Sequence, residues 1–496
     1  MRFRRWARGL AALAVAAPAA LEAQSRPSGV LAPAITPLFE GRAWRDADWG
    51  ALVLSLTRGD TVFSYHADSR FRPASNAKLF TTAAALHYLG PDFRFETVLF
   101  GDGPVRSHTL HGNLVLYGTG DPTFGLDTVD LAPFADSVVL AGINTVAGDV
   151  VGDASYLGSE LTGPGWSPDN LDQGYAAPPS ALGVAENVVH IAVRPGRPGT
   201  RPTITVDPPT DYYAIRNLVR TRWRRTRIRV ERGPADSVVT LRGSIWPRRG
   251  PWRTDIVVRH PARFAAALLR QLLEARGVTV VGRTVAVTAD STGRARRLRD
   301  WNHAPGSAPF PGTLALRESG GLGALITTMI HRSDNLSAEL VFRSIGRALG
   351  GAGTFASGAN AVTQFLATAV GIPPASVRIA DGSGLSRQDE ASPRALIRLL
   401  AYEWRAAPDE QAPFWHSLPT VGDGFGRRMV GTAADGRLRA KTGTLKNASA
   451  LTGYVTTDGG EVLAFSIIVN HIRSIRAAQH AEDQVGELLA RWQRGT

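Results

Sequence analysis

The lysines of this sequence are candidates for chemistry because the chain has so few of them. Of 56 basic residues only three are lysines, namely Lys78, Lys441 and Lys446, and the others are arginines. Arginine keeps its charge in proteins, whereas a lysine amine can lose its proton when it is buried or lies near another cation. A lysine retained in so arginine-rich a composition indicates a position where a removable proton is needed.

Lys78 follows Ser75 by three residues in the stretch FRPASNAK. On a helix these two positions lie on one face, one turn apart. A serine hydroxyl is a weak nucleophile until a base removes its proton, and a neutral lysine amine can act as that base. The pair predicts that Ser75 is a nucleophile activated by Lys78. The alternative is that Ser75 only caps its helix.

Two further motifs follow in the order that one class of enzyme requires. SDN (333–335) lies in HRSDNLSAEL, and KTG (441–443) lies in RAKTGTL. S-x-x-K, S-D-N and K-T-G together are the set shared by penicillin-binding proteins and class A β-lactamases. Alone, SDN fits a turn between helices and Lys441 fits a strand surface. Together, the three motifs predict a serine acyl-transfer site.

The chain resembles the peptidase S13 family, the low-molecular-mass class C penicillin-binding proteins, which are D-alanyl-D-alanine carboxypeptidases and endopeptidases. Besides the motifs, the resemblance includes GNLVLYGTGDPTF (112–124), GYAAPPSALGVAENVV (174–189), DGSGLSR (381–387) and KTGTLKNASALTGYV (441–455). It implies an α/β fold, with a β-lactamase/DD-peptidase-like domain (an antiparallel sheet flanked by helices) and inserted β-rich domains. The insertion fits the 258 positions between Ser75 and Ser333.

The resemblance also implies how the acyl-transfer residues act. Ser75 attacks the carbonyl between two D-alanines and forms an acyl-enzyme, and Lys78 accepts its proton. Ser333 passes a proton to the departing amine, while Asn335 holds the substrate amide and the Lys78 amine. Penicillin and other β-lactams are expected to inhibit the enzyme, and no metal or organic cofactor is implied.

The third motif is expected to bind substrate. Lys441 raises the field near Lys78 and attracts the terminal carboxylate of the peptide, to which Thr442 hydrogen-bonds. Gly443 lets the substrate backbone lie close to the strand. The backbone N–H groups of Ser75 and Thr444 form the oxyanion hole.

Four nearby residues have weaker predictions. Asp169, in GWSPDN, occupies the region where the family contacts the amino group of diaminopimelate, although Pro168 stands where an aromatic residue is frequent. Asp381 and Ser383 are interpreted as turn-forming residues beside the site, and Lys446 as structural.

The elements that must position these residues can be read from periodicity. Residues 51–67 predict two strands around a turn at 58–60, and a helix runs from Ser75 to about Leu89, before the stop signal Gly90-Pro91. From about 92 to 300, short strands are interrupted by one predicted helix, 261–276. The last third predicts helices and then strands: helices 322–331, 335–349 and 392–405, strands 438–442, 450–456 and 461–470, and a helix over 475–492.

The domain prediction follows from the change from helices and strands at the two ends to short strands in the middle of the chain. Residues 24–91 and 301–496 are assigned to the DD-peptidase domain, 92–182 and 261–300 to an inserted domain II, and 183–260 to an inserted β-rich domain III. Residues 1–23, with a basic start and a short apolar run, predict a cleaved export signal and a periplasmic or otherwise exported protein. The alternatives are a retained anchor or a buried N-terminal helix.

Charge and cysteine content limit the partners. The chain has a net charge of +13 and no cysteine, which excludes disulfides and cysteine metal sites. The arginine-rich run 216–233 is interpreted as a solvated strand face. The alternative for this run is binding to an anionic polymer, and nucleic acid is disfavoured by the export signal. The basic surface of the protein as a whole favours peripheral contact with a membrane or an envelope polymer.

Two other functions remain open from sequence. A class A β-lactamase would need a deacylating glutamate with Asn four residues later, and none of the glutamates between SDN and KTG (339, 390, 403 and 410) has one. Slow deacylation, and therefore inhibition by penicillin, is expected instead. The second alternative is a catalytically inactive protein that binds envelope glycan. A histidine-based triad is disfavoured because no G-x-S-x-G elbow is present.

Overall fold

The computed structural model describes residues 31–126, 130–233, 237–291, 312–406 and 408–494. The predicted export signal, 1–23, lies outside these residues, as do 292–311 at the boundary predicted between domain II and the peptidase domain. Within the described part of the chain, no helix is both long enough and apolar enough to cross a membrane.

The helices of the described residues are α1 Leu31–Phe39, α2 Ala77–Leu89, α3 Ala132–Leu140, α4 Pro261–Glu274, α5 Leu322–Arg332, α6 Asn335–Ala348, α7 Phe355–Phe365, α8 Pro393–Arg405, α9 Pro408–Ser417 and α10 Ile475–Arg491. The strands before α4 are β1 Asp48–Ser55, β2 Thr61–Tyr65, β3 Glu96–Gly101, β4 Val105–Arg106, β5 Thr109–Leu110, β6 Leu114–Gly118, β7 Thr145–Val146, β8 Val150–Asp153, β9 Val188–Arg194, β10 Thr203–Asp207, β11 Ala214–Thr221, β12 Arg227–Arg232, β13 Val238–Ile245 and β14 Trp252–Val257. Those after it are β15 Thr279–Val280, β16 Thr284–Val287, β17 Thr313–Glu318, β18 Val377–Arg378, β19 Glu390–Ala391, β20 Leu438–Leu445, β21 Ala448–Thr456 and β22 Val462–Asn470.

The central sheet joins the two ends of the chain. Its order is β2-β1-β22-β21-β20, and every neighbouring pair is antiparallel. Alternate residues point to opposite faces, so Leu52 and Leu54 pack in one core with α2 and α5 to α8, while Ala51 and Val53 pack in another with α1 and α10. Burial of both faces explains the long apolar runs of β21 and β22.

The insertion between the first and second motifs forms its own sheets. A five-stranded sheet has the order β16-β8-β6-β3-β17, and two three-stranded sheets have the orders β10-β9-β14 and β11-β13-β12. β17 pairs antiparallel with β3, so Thr313–Glu318 belongs to a sheet of domain II. The domain division remains a proposal, and this pairing moves its boundary from residue 301 to a point after Glu318.

The predicted fold class is confirmed: an antiparallel sheet flanked by helices carries inserted β-rich segments. Each predicted helix and strand of the two ends is present within three residues of its predicted limits. The expectation of one helix in 92–300 is wrong, because α3 lies there in addition to α4. Its buried residues Phe134, Ala135 and Val138 follow helical spacing, but its valines resemble a strand.

Candidate active site

Ser75 lies in a tight turn that the rest of the protein holds in place. The turn is a single 3-10 segment, Ala74–Asn76, directly before α2, so α2 itself begins two residues later than predicted. Ala74 has φ of 50°, a left-handed conformation that L-residues rarely adopt. The Asn76 amide donates to Thr452 Oγ1 at 2.8 Å, which ties the turn to β21. The predicted nucleophile, Ser75, is therefore presented by a constrained backbone.

Two glycines allow backbone segments to approach this turn. A Cβ on Gly384 would lie 1.8 Å from the carbonyl oxygen of Ala74, and one on Gly443 would lie 2.6 Å from that of Pro73. Gly443 was predicted to make room for substrate. In the structure, Gly443 on β20 instead lies close to Pro73, in the segment before Ser75. This glycine therefore sets the distance between β20 and the turn that carries Ser75.

Lys78 is fully buried beneath Ser75, with its amine held by three acceptors. Nζ donates to Ser75 Oγ at 3.2 Å, to Asn335 Oδ1 at 2.6 Å and to the carbonyl oxygen of Ser383 at 2.8 Å. Burial lowers the pKa of Lys78 to about 8, against the opposing attraction of Glu339 and other carboxylates. A substantial fraction of the amine is therefore neutral near physiological pH, as a base for Ser75 requires.

The SDN motif joins two helices. Ser333 ends α5 in a left-handed conformation, with φ of 55°, and Asp334 caps α6 by accepting from the N–H groups of Leu336 and Ser337, each at 3.1 Å. This cap orients Asn335, whose Oδ1 accepts from Lys78. Its Nδ2 donates to the carbonyl oxygen of Tyr175 at 2.8 Å. The insertion thus contributes a contact to the second motif.

Lys441 is also buried, on β20. Burial and the charge of the neighbouring Lys78 hold the pKa of Lys441 well below its usual range. Its Nζ donates to the carbonyl oxygen of Thr442 at 3.0 Å. The Lys78 amine is therefore close enough to influence Lys441 electrostatically.

A cleft of about 750 Å³ opens above these groups. Of the predicted residues, Ser75, Ser333, Asn335 and Thr444 line it, together with Asp169 and Lys446. Lys78 and Lys441 lie buried behind the cleft wall, and Thr442 is half-buried. The three motifs and the insertion therefore meet at one opening.

Glu339 is the residue that sequence reasoning missed. Fully buried, its carboxylate accepts from the N–H groups of Gly382 at 2.8 Å and Ser383 at 3.0 Å. Burial, and then the nearby Asp381, raise the pKa of Glu339 to about 8. Glu339 follows Asn335 by one helical turn, which could have indicated a shared face, but it was considered only as a deacylating base.

The loop after β18 forms part of the buried side of the site. The Asp381 carboxylate accepts from the N–H groups of Gly384 and Ser386, each at 2.7 Å, and from Trp166 Nε1 at 2.8 Å. Asp381 therefore organises a turn, in agreement with its interpretation from sequence. The same loop presents the Ser383 carbonyl oxygen to Lys78. The turn therefore holds the Lys78 amine in place as well as lying beside it.

The chain is similar to known proteins over nearly its whole length. The model of the D-Ala-D-Ala carboxypeptidase 3 (S13) family matches residues 38–492. A D-alanyl-D-alanine carboxypeptidase of an Actinomadura species is 31% identical, over 96% of this chain and 87% of that protein. The D-alanyl-D-alanine carboxypeptidase DacB of Haemophilus influenzae is 25% identical, over 85% of each chain.

The fold also matches a solved structure. The crystal structure of penicillin binding protein 4 (dacB) from Haemophilus influenzae superposes with a TM-score of 0.79 at 24% identity, covering 92% of this chain and 99% of that one. Sequence and fold thus agree over nearly the whole length, and the chain belongs to the D-Ala-D-Ala carboxypeptidase 3 (S13) family.

Proposed function

We propose that this protein is a penicillin-sensitive serine carboxypeptidase that cleaves the bond between the two terminal D-alanines of peptidoglycan stem peptides, through an acyl-enzyme on Ser75. The observation that carries the proposal is the buried Lys78 amine, 3.2 Å from Ser75 Oγ and with a pKa of about 8. Membership of the S13 family supports the substrate class.

In the acylation step the neutral Lys78 amine takes the proton of Ser75, and Oγ bonds to the carbonyl carbon of the penultimate D-alanine. The N–H groups of Ser75 and Thr444 stabilise the oxyanion that forms. As the C–N bond breaks, Ser333 delivers its proton to the departing nitrogen and is reprotonated by the Lys78 ammonium, so terminal D-alanine leaves and Lys78 is again neutral. Water then attacks the ester, and its proton returns to restore the Ser75 hydroxyl.

The remaining residues of the motifs bind the peptide. Lys441 and Thr442 attract the terminal carboxylate, and Asn335 holds an amide of the substrate while it orients Lys78. The exposed Asp169 carboxylate, which also lines the cleft, is suited to the amino group of a diaminopimelate side chain. Endopeptidase cleavage of a D-alanyl cross-link uses the same acylation step, and relative rates on monomeric and cross-linked peptides measure its share.

The proposed substrate lies outside the cytoplasm, which accords with the export signal predicted over residues 1–23. Peptidoglycan peptides and β-lactams are the proposed partners of the cleft. Recovery of the protein from the periplasmic fraction, with a mature N-terminus near residue 24, is the expected result.

Mass spectrometry of the protein after treatment with benzylpenicillin tests the proposed nucleophile. We expect one added penicilloyl group on the peptide that contains Ser75, and loss of D-alanine release from a peptide ending in D-Ala-D-Ala. An adduct elsewhere would remove Ser75 from the mechanism. Rapid turnover of a chromogenic cephalosporin would identify a β-lactamase instead, and cell-wall binding without D-alanine release would identify an inactive binding protein.

A further inference from the structure

The excess positive charge of this protein is concentrated in one inserted segment. Residues 183–260 contain 16 arginines and six acidic residues, a net charge of +10, whereas the whole chain carries +13. The first 23 residues account for the other +3, with four arginines and one glutamate. The remainder of the chain, which includes the whole peptidase domain, is electrically balanced. The charge is therefore a local property of this segment.

The register of the sheet β11-β13-β12 shows where much of that charge lies. Residues that pair across the three strands form three rows on its outer face: Arg216, Thr240 and Glu231; Leu218, Arg242 and Arg229; Arg220, Ser244 and Arg227. Five of these nine residues are arginines, all of them exposed, and one is acidic. We call these nine residues the arginine face.

The opposite side of the same sheet is an ordinary core surface. Val219, Val239 and Leu241 are fully buried and pack in the hydrophobic core of the insertion. Folding therefore fixes which side of the sheet is outward. The arginine-rich run 216–233 forms two strands, β11 and β12, which are joined by a loop at 222–226.

The arginine face is electrostatically unfavourable in isolation. Arg229 stands directly opposite Arg242, and like charges at paired positions destabilise a sheet. Glu231 partly compensates, since its carboxylate accepts from Arg242 Nε at 2.9 Å. A surface that gathers like charges in this way gains free energy when it meets an anionic partner.

Two exposed tryptophans lie at one end of the arginine face. Trp223, in the loop after β11, is 61% exposed, and Trp246 directly follows β13 and is 43% exposed. The backbone N–H of Trp246 donates to Thr226 Oγ1 at 3.0 Å, which joins the loop after β13 to the loop after β11. The Arg248 guanidinium lies 5.7 Å from the centre of the Trp223 ring, and Arg222, Arg224 and Arg225 are exposed in the same loop. Tryptophan side chains are enriched at membrane–water interfaces, where their amphipathic rings lie at the level of the lipid headgroups.

We propose that the arginine face, with Trp223 and Trp246 at its end, docks on the surface of a lipid bilayer that contains anionic phospholipids. The guanidinium groups pair with lipid phosphates, and the two indole rings enter the headgroup layer. An anionic polymer would be attracted by the same charges, but the paired exposed indoles favour a surface that has an apolar interior. Docking would hold the enzyme beside a membrane without a spanning helix.

Co-sedimentation with vesicles tests this proposal. We expect the purified protein to bind vesicles of phosphatidylcholine mixed with phosphatidylglycerol at least tenfold more tightly than vesicles of phosphatidylcholine alone. High salt should release it, because the screening length falls from about 8 Å at physiological ionic strength to about 3 Å at 1 M. Equal binding to both vesicle types, or to neither, would overturn the proposal.

Matched variants distinguish the contribution of the arginine face to vesicle binding from that of the overall net charge. Arg220→Gln, Arg227→Gln and Arg229→Gln together should weaken binding at least tenfold. Arg106→Gln, Arg378→Gln and Arg405→Gln, at exposed sites elsewhere, remove the same charge and should leave binding within about twofold. Equal loss in the two triple variants would reduce the effect to net charge and overturn the proposal.

The tryptophans distinguish a bilayer from a polymer. Trp223→Ala with Trp246→Ala should weaken vesicle binding, and lipids brominated on their acyl chains should quench indole fluorescence of the unmodified protein more than that of this variant. Binding of an anionic polysaccharide, without vesicle binding, would assign the face to an envelope polymer instead. Penicillin labelling of Ser75 should be unchanged in all these variants, so failure here is distinct from failure of the proposed enzymatic function.

Discussion

At the scale of single residues, the chemistry depends on an amine that can be neutral. Lys78 combines complete burial with acceptors on Ser75, Asn335 and Ser383. Desolvation lowers its pKa, and nearby carboxylates oppose that effect. The outcome is an amine with a pKa of about 8, which suits the general base proposed here, because such catalysis is most effective when the pKa lies near the operating pH.

Lys78→Arg tests whether proton removal, rather than charge, is what this position supplies. The guanidinium keeps a positive charge but cannot act as a base. We expect the rate constant for acylation by benzylpenicillin to fall about 10²–10⁴-fold, the usual contribution of a general base. Lys446→Arg is the matched control at the edge of the cleft and should acylate normally. A variant at residue 78 that kept a tenth of the original rate would contradict the role of Lys78.

The pH dependence of acylation tests the positioning residue Glu339. In the unmodified protein the rate should rise with pH as Lys78 loses its proton, with a midpoint near its pKa of about 8. The pKa of Glu339 is itself raised to about 8, so this carboxyl is partly ionised in the same pH range, and its ionised fraction favours the protonated amine. Glu339→Gln removes that charge, so the pKa of Lys78 should fall and the midpoint should move to lower pH. The acylation rate measured across pH gives both midpoints. A lower rate with an unchanged midpoint would leave Glu339 a structural role only.

At the scale of elements, the site is set by how closely backbone segments approach one another. β20 lies against the segment before Ser75 because position 443 carries no side chain, and the loop after β18 approaches Ala74 because position 384 carries none. Gly384 belongs to DGSGLSR and Gly443 to KTG. Both glycines contact the turn that carries Ser75.

Gly443→Ala tests this packing. Its Cβ would lie 2.6 Å from the carbonyl oxygen of Pro73, so β20 and the turn must separate. We expect acylation to fall on the order of 10²-fold, the effect of misplacing reacting groups by about 1 Å, with a loss of stability of about 1–3 kcal/mol. Gly459→Ala, in the β21–β22 hairpin, where a Cβ meets neighbours at 3.5 Å, is the control. Acylation at the normal rate in Gly443→Ala would show that the spacing is not critical.

At the scale of the whole molecule, the insertion and the peptidase domain are joined through a buried arginine. Arg343 on α6 donates to the carbonyl oxygens of Pro179 at 2.6 Å and Glu160 at 2.9 Å, both in the insertion, and to that of Gly353 at 2.8 Å. Burial lowers the pKa of Arg343 to about 10, so the guanidinium remains charged at neutral pH. The junction thus holds together the segment that carries Tyr175 and the helix that carries Asn335.

Arg343→Leu tests this junction by leaving several buried carbonyl groups without their donor. We expect the free energy of unfolding to fall by about 3 kcal/mol or more, since each unsatisfied buried group costs about 1–3 kcal/mol. Arg332→Leu removes a partly exposed ion pair with Glu186 across the same junction and should cost less than about 1 kcal/mol. Chemical denaturation measures both. Equal losses would show that the buried contacts contribute no more than the exposed pair.

The sequence by itself determined the three motifs, the elements on which they lie and the fold class. These are local properties: Ser75 and Lys78 are one helical turn apart, SDN joins two helices, and KTG lies on a strand followed by a hairpin. It also determined the segment that holds the excess charge, because composition is additive along a chain.

Only the tertiary structure decided what surrounds Lys78 and which side of the arginine-rich sheet is outward. The acceptors of Lys78 come from positions as distant as 335 and 383, and the contacts of Arg343 come from 158–179 and 353. Helical and strand periodicity relate neighbours a few residues apart, whereas these contacts depend on how whole elements pack. For that reason the supporting role of Glu339 is evident only in the tertiary structure. There its carboxylate accepts from the backbone of the loop whose Ser383 carbonyl oxygen in turn accepts from Lys78.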